Sequence, residues 1–327
     1  MLIINKDIIE TVAAWPAFVS AIEAAVLDGD YESPSRMVLA LHDAERGGDG
    51  NLLIMPAWRM PEFIGLKTVT FWPENPQFGE ASHGANYILM DGRSGRIVAL
   101  IDGHELTARR TAAVSVVAAK RLLRQDAKRL LVIGTGPIAR MLVLAHASWW
   151  PFSSIEIYGR QAQQVERLVA DLTGRGISCA ASSDLEASVA AADMISTATS
   201  ATAPLFAGEA VRPGTHLDLV GSFKPTMREV DDVTMSRAGQ IWVDNAAAVT
   251  DSGDLTQPLA SKAIGQQAIC GDLARLVSAG AVRQPGAITV FKSVGFATPD
   301  LAVAQTILKQ TMSAETLASP ALARSLG

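Results

Sequence analysis

The sequence predicts an α/β protein in two parts, a doubly wound parallel sheet and a separate α+β domain. Three observations carry this. A strand, a glycine turn and a helix follow one another from Arg129 to Ala147. Strand-like and helix-like segments alternate from Ala127 almost to the end. The N-terminal third instead carries a turn-rich hairpin. Strands alternating with helices are the pattern of a parallel sheet covered on both faces.

The first strand of that sheet is expected at Leu130–Gly134, where Leu130 to Ile133 are all apolar. Gly134, Thr135 and Gly136 make the tight turn, Pro137 and Ile138 follow, and Ala139 takes the third small position of G-x-G-x-x-G/A. A helix is expected from Ala139 to Ala147. This order sets backbone N–H groups at a helix N-terminus, where a pyrophosphate binds. A bare glycine pattern is weak, but the strand-turn-helix context makes this one a dinucleotide fingerprint of the Rossmann type. Further strands are expected at Ser154–Tyr158, Ile177–Ala181, Ala192–Thr197, Thr215–Val220 and Gln240–Val243, and Ile288–Phe291 closes the run. Ligands of such sheets lie at the carboxyl ends of the strands. Gly159, Arg160 and Gln161, then Thr197 and Thr199, then Gly221 and Ser222, are therefore expected to face the cofactor. An acid at the end of the second strand would favour NAD by accepting from the ribose 2′-OH. Here that strand ends in Tyr158-Gly159-Arg160-Gln161, with no acid before Glu166. The guanidinium fork of Arg160 suits a 2′-phosphate, so NADP(H) is preferred and NAD(H) admitted.

In the N-terminal part, Tyr87–Met90 and Ile97–Ile101 flank the turn-rich Asp91 to Gly95 and read as a hairpin. Lys67–Trp72 reads as another strand, and a long helix from Ala108 to about Leu123 links the two domains. The tail from Pro299 is helical and expected to pack on the first domain. The domains are thus drawn as 1–118 with 300–327, and 119–299.

Composition narrows the function classes. The chain has 327 residues, 49% hydrophobic and 19% charged, enough for two domains with cores of their own. A net charge of -5 gives no electrostatic reason to expect nucleic acid or a membrane surface as partner. No segment reads as a bilayer span, and the N-terminus lacks the basic start of a signal peptide. Cys179 and Cys270 cannot build a disulfide framework, so a reduced, cytoplasmic setting is expected. The five histidines show no metal-ligand spacing, and no G-x-S-x-G nucleophile elbow occurs.

Three N-terminal segments place basic side chains where an acid could be held: Ser33 to Arg36, Gly65 to Thr70 and Leu106 to Ala113. With the glycine turn they resemble the ornithine cyclodeaminase/mu-crystallin family. Further matching pieces are Met55-Pro56-Ala57, Ala81 to Asp91, Gly221 to Glu229, and Thr289 to Gly295. The L-T-A-x-R-T-A-A and V-F-K-S-x-G segments are specific in this order, and the likeness runs from about Arg36 to Asp300.

The resemblance implies a homodimer of two-domain subunits, with substrate held by the N-terminal domain and a nicotinamide by the Rossmann domain. By position, Arg36, Lys67 and Arg110 match the residues around the substrate carboxylate, with Lys67 and Arg110 also catalytic. Ser82 and His83, with Arg110 and Ser293, fall at the cofactor. The chemistry agrees: arginines can clamp a carboxylate bidentately and aim the neighbouring carbon at the nicotinamide. A lysine between apolar residues of a strand is expensive without a partner. Arg36 alone reads as a loop arginine, and His83 alone as a structural hydrogen bonder. Adjacent Arg109 and Arg110 cannot both face one site; position picks Arg110.

One departure from the family sets the expected activity. Cyclodeaminases of the family carry an aspartate where this chain has Phe223. A phenyl ring can neither take nor give a proton, but it can pack on a cyclic substrate. Glu229 and Asp231 follow in what reads as a helix start, where the helix dipole explains acids. The expectation is an NAD(P)H-dependent reductase of a cyclic ketimine carboxylate, Δ1-pyrroline-2-carboxylate to L-proline, with the six-membered Δ1-piperideine-2-carboxylate as a second substrate. The alternatives are an ornithine cyclodeaminase, an oxidoreductase acting on alanine or an N-alkyl amino acid, and a non-catalytic crystallin-like binder of NADPH or another ligand.

Overall fold

The structure, a computed structural model, describes residues 1–12, 14–43, 48–280 and 283–318. Two compact units divide the chain: Met1–Arg110 with Phe296–Gly327, and Thr111–Gly295. The division falls well inside the linking helix, where the sequence reading drew its border close to that helix's end. Of the tail assigned to the first domain, residues 319–327 lie outside the described residues.

The first unit opens with β1 (Leu2–Ile4), α1 (Lys6–Val12) and α2 (Trp15–Leu27), then β2 (Tyr31–Glu32), β3 (Met37–Asp43) and β4 (Gly48–Arg59). After these come β5 (Phe63–Phe71), β6 (His83–Asp91), β7 (Ile97–Asp102) and α3 (Gly103–Leu122). The strands lie in the order β1-β7-β6-β5-β4-β2, with β3 also on β4. All neighbours are antiparallel except β1, which runs parallel to β7. The expected hairpin is β6–β7. Its turn is closed by Asp91, whose Oδ1 accepts from the backbone N–H and hydroxyl of Ser94 at 2.8 and 2.7 Å. Gly95 then takes a φ of 70°, which glycine adopts at no steric cost. The sequence reading missed β3 and β4. The run Met37-Val-Leu-Ala-Leu41 shows no alternation, because Met37 to Ala40 are exposed alike.

The last helix, α11 (Ala297–Ala318), belongs to this unit and packs on α2, β4 and β5. On α2, Phe18, Val19, Ile22 and Ala25 recur at helical spacing and are all buried. The tail thus packs back on the N-terminal sheet, as the sequence led us to expect.

In the second unit α3 leads to β8 (Arg129–Ile133), α4 (Pro137–Ala147), β9 (Ser154–Tyr158), α5 (Ala162–Gly174), β10 (Ala180–Ala181) and α6 (Leu185–Ala191). Then come β11 (Met194–Thr197), β12 (His216–Leu219), α7 (Asp232–Arg237), β13 (Ala238–Val243), α8 (Ala248–Asp251) and α9 (Gly253–Ala260). β14 (Ile269–Gly271), α10 (Leu273–Ala279) and β15 (Ile288–Lys292) complete it. The sheet is parallel throughout, in the order β10-β9-β8-β11-β12-β15-β13-β14. It is the doubly wound sheet the sequence predicts, with three corrections. The third expected strand shrinks to Ala180–Ala181. β14 forms an unforeseen edge, while β15, last in the chain as expected, inserts between β12 and β13. β8 stops at Ile133 because Gly134 turns to a φ of 134°.

Apolar residues cover both faces of this sheet. Leu131, Ile133, Ile195, Leu217, Leu219 and Val290 form one core, and Leu130, Val132, Ile155, Ile157 and Met194 another. Each such side chain contributes about 1.5–3 kcal/mol on full burial, and two covered faces explain why the strands read as unbroken apolar runs. On the same face as the second core lies a polar cluster. The buried Asp218 accepts from Ser115 and Ser196 at 2.8 and 2.6 Å, and its Oδ2 lies 3.5 Å from His146 Nε2. Beside it His216 pairs with the Thr289 hydroxyl at 2.9 Å, and burial pushes its pKa down to about 4.

Candidate active site

In the first unit, strand alternation places Gly65 and Lys67 on the buried face of β5. Lys67 is paired in register with Tyr87 of β6 and Met55 of β4. An ammonium 2% exposed needs a partner, and it has one: Nζ donates to Asp300 Oδ2 at 2.7 Å. Asp300 stands in the first turn of α11, where the helix dipole favours a carboxylate. Its other oxygen, Oδ1, lies 2.8 Å from Arg110 Nε of α3, an ion pair whose angle falls outside hydrogen-bond geometry. One fully buried carboxylate thus serves two buried cations.

These charges set the Lys67 proton. Burial lowers its pKa to about 8, opposed by Asp300 and reinforced by Arg110 and, more weakly, Arg36. Arg36 is half-buried just before β3 and so belongs to the same electrostatic group. The Tyr87 hydroxyl completes the surroundings. It is 1% exposed and without a hydrogen-bond partner among the described residues, and burial raises its pKa well above the usual value. Gly65 makes room for it, since a Cβ there would lie 1.9 Å from Tyr87 Oη.

Arg109 turns elsewhere, to Glu105 at 2.6 Å and over the Trp15 ring. Ser82 and His83 bond to each other at 2.9 Å, and the exposed His83 ring lies against Phe71 with centroids 4.6 Å apart.

In the second unit the glycine turn has the build of an anion cradle. A Cβ on Gly134 would lie 2.5 Å from the Ala198 carbonyl oxygen, so glycine is required. Gly136 is the N-cap of α4 and Pro137 its first residue; both are exposed, and no side chain caps the helix. No atom lies within 4 Å of a Cβ built on Gly136. The N–H groups of the first turn, those of Ile138 and Ala139 among them, thus have no side-chain cap and follow an open, exposed Gly136, which fits a dinucleotide pyrophosphate. The fully buried Ala139 is the small residue that lets helix and strand approach. Gly159 follows β9 and clears the Thr135 side chain, whose hydroxyl donates to Gln164 at 3.0 Å. Arg160 and Gln161 come next and are exposed.

The loops after β11 and β12 hang on one residue the sequence reading misjudged. Glu229 is not a helix-start acid; it is fully buried, whereas Asp231 does cap α7 by accepting from Thr234 N–H at 2.7 Å. Glu229 Oε1 accepts from the backbone N–H and hydroxyl of Thr199, both at 2.8 Å. Its Oε2 accepts from the Thr197 hydroxyl at 2.7 Å and Gly221 N–H at 2.8 Å. Burial raises its pKa, and Lys292 opposes the rise. Lys292 in turn holds Asp254 at 3.1 Å, and Asp254 accepts from Glu229 N–H at 2.7 Å. The hydroxyls of Thr197, Thr199, Ser222 and Ser293 are therefore engaged with protein: Ser222 donates to the Met227 carbonyl at 2.8 Å and Ser293 to Asp244 at 2.9 Å. Phe223, by contrast, is 42% exposed on its loop.

One unit is thus a doubly wound parallel sheet with an uncapped glycine turn, of the dinucleotide-binding kind, and the other an α+β unit that buries two cations on one carboxylate. Residues 6–315 match the ornithine cyclodeaminase/mu-crystallin family, and the chain belongs to it. It is 38% identical to a Delta(1)-pyrroline-2-carboxylate reductase of Paracoccus denitrificans, over 80% of this chain and 83% of that one. To the ketimine reductase mu-crystallin of Mus musculus it is 32% identical, over 86% and 85%. The solved structure of the Thermococcus litoralis Delta(1)-pyrroline-2-carboxylate reductase, in complex with NADH and L-proline, superposes with a TM-score of 0.88. That match covers 96% of this chain and 98% of that one, at 27% identity.

Proposed function

We propose that the protein reduces a cyclic ketimine carboxylate with NAD(P)H, converting Δ1-pyrroline-2-carboxylate to L-proline and accepting the six-membered homologue. The observation that carries this is the pair of buried cations, Lys67 and Arg110, sharing the single carboxylate of Asp300. Burying charge is costly, and a buried ion pair adds little net stability. Two cations on one anion leave positive charge that a substrate carboxylate would balance, with Arg36 adding to the field. The relatives named as reductases, and the one holding NADH and L-proline, support the same reading.

When bound, a dihydronicotinamide supplies a hydride. The chain's own residues do the rest. Arg110 and Arg36 hold the substrate carboxylate and so orient the adjacent C=N carbon. Lys67, protonated below about pH 8, keeps a proton at the imine nitrogen. The substrate's C=N bond would thus be reduced to CH–NH, its carbon taking the two electrons that a bound dihydronicotinamide would supply and its nitrogen keeping the proton held by Lys67. Phe223, standing where cyclodeaminases of the family carry an aspartate, brings no acid for ammonia chemistry. Glu229 cannot replace the missing acid, because four donors already hold its buried carboxylate. Arg160, at the end of β9 with no acid beside it, favours NADP(H) over NAD(H).

We further propose a homodimer. Met37, Val38 and Leu39 of β3 are 50%, 56% and 46% exposed, an apolar strip of the kind that a second copy covers. Sedimentation velocity tests this; a monomer at micromolar concentration would refute it. The reaction is tested by following nicotinamide absorbance with Δ1-pyrroline-2-carboxylate. L-Ornithine with NAD⁺, and pyruvate with methylamine, are the competing substrates. Faster turnover of either competitor would overturn the reading.

A further inference from the structure

Asp300 escaped the sequence reading because a first-turn acid on a helix has a bland explanation in the helix dipole. Its burial and its two partners do not fit that explanation. A dipole-stabilised surface acid needs no lysine and no arginine. Here the carboxylate is 0% exposed, with Lys67 of β5 at 2.7 Å on one oxygen and Arg110 of α3 at 2.8 Å on the other.

We propose that Asp300 is a positioning residue of the reaction. By taking one cation on each oxygen it fixes the spacing of Lys67 and Arg110, and it keeps Lys67 protonated for the imine nitrogen. This deepens the reductase reading and rests on it.

The physical argument is one of opposing fields. The charged groups acting on Lys67 are Asp300 from α11, Arg110 from α3 and Arg36 from the segment before β3, and the titratable Tyr87 stands opposite it in register on β6. Burial, Arg110 and Arg36 all push the Lys67 proton off; among these groups only Asp300 holds it on. Without that charge a lysine so placed would be neutral at physiological pH. It could then accept a proton but not supply one. Asp300 itself touches no reacting atom under this scheme, since both of its oxygens are turned to the two cations.

The test is the pH profile of kcat/KM for the unaltered protein and for Asp300→Asn and Asp300→Glu, with NADPH affinity measured alongside. The unaltered protein is expected to lose activity above about pH 8, where Lys67 deprotonates. In Asp300→Asn that alkaline limb should move down by about one unit or more, the usual effect of removing an opposite charge at contact. NADPH affinity should stay within about twofold, since the dinucleotide cradle shares no partner with Asp300. Asp300→Glu keeps the charge, so its limb should stay at the original pH even if kcat falls. A limb that stays put in Asp300→Asn while kcat drops would overturn the proposal, because a structural role lowers rate without moving a titration. Should Asp300→Asn fail to fold, Asp300→Ser takes its place: an alkaline limb lowered by about one unit or more supports the proposal, and an unmoved one overturns it. If the unaltered protein does not turn over the imine, the reductase reading fails. The same comparison then rests on pyrrole-2-carboxylate binding by calorimetry, where the same downward shift in Asp300→Asn supports the role of Asp300 and no shift overturns it.

Discussion

Replacing Glu229 with glutamine should loosen the loops after β11 and β12 together. Each oxygen of this carboxylate faces a backbone N–H, Thr199 on Oε1 and Gly221 on Oε2. Whichever way the glutamine amide is turned, its NH2 group meets one of those N–H donors. The threonine hydroxyls can rotate to accept instead; a backbone N–H cannot. One buried donor is therefore left unpaired, at a cost of about 1–3 kcal/mol. At roughly 2–4 °C per kcal/mol for a unit of this size, the melting midpoint should fall by about 2–12 °C. With half of that cost felt where the loops meet the dinucleotide, NADPH binding weakens about twofold to twelvefold. Differential scanning fluorimetry and nicotinamide fluorescence titration read the two effects. A variant that melts with the unaltered protein and binds NADPH equally well would refute the claim that Glu229 organises these loops.

Three further outcomes follow from the same geometry. Lys67→Ala should lower kcat/KM for the imine by about 100-fold or more, the usual range for a lost general acid, with NADPH binding nearly unchanged; unchanged turnover would remove Lys67 from the mechanism. Arg160→Asp should weaken NADPH about tenfold or more, as expected for a lost charge-assisted contact, and leave NADH little altered; equal effects on both would sink the phosphate assignment. The third concerns acid stability. His216 is held neutral by burial, with a folded pKa of about 4 against an ordinary value of 6.5. The unfolded chain therefore binds the proton first, and stability present above pH 6.5 drains away as pH falls towards 4. The gap corresponds to roughly 3 kcal/mol. Urea unfolding at neutral and acid pH should show this loss, and His216→Asn should flatten it. Equal slopes in the two proteins would argue that other groups dominate.

How much of this was legible in the sequence differs between the two units. The parallel sheet was readable because its strands are covered on both faces and so stand out as apolar runs after turns. Its strand order was not, since nothing in Ile288 to Lys292 says that this strand slips between β12 and β13. The N-terminal sheet was half legible: the β6–β7 hairpin carries a turn signal at Asp91 to Gly95, while β3 is exposed and does not alternate. Lys67 stood out as a charge inside an apolar strand, and the structure gives it the partner that such a charge demands. That partner, Asp300, lies 233 residues away, a distance over which composition and periodicity carry no pairing information. Glu229 was misread for a related reason. An acid just ahead of a helix has a local explanation, and only the fold reveals that four donors from two other loops converge on it.

The central claim is hydride delivery to the carbon beside a carboxylate held by Arg110 and Arg36, with Lys67 at the imine nitrogen. The most direct measurement is to incubate the protein with Δ1-pyrroline-2-carboxylate and NADPH carrying deuterium at the nicotinamide C4, then analyse the amino acid formed by chiral chromatography and mass spectrometry. The account predicts L-proline with a single deuterium at C2, and one equivalent of nicotinamide oxidised for each proline made. Failure to form labelled proline, with proline and ammonia arising from ornithine instead, would contradict it.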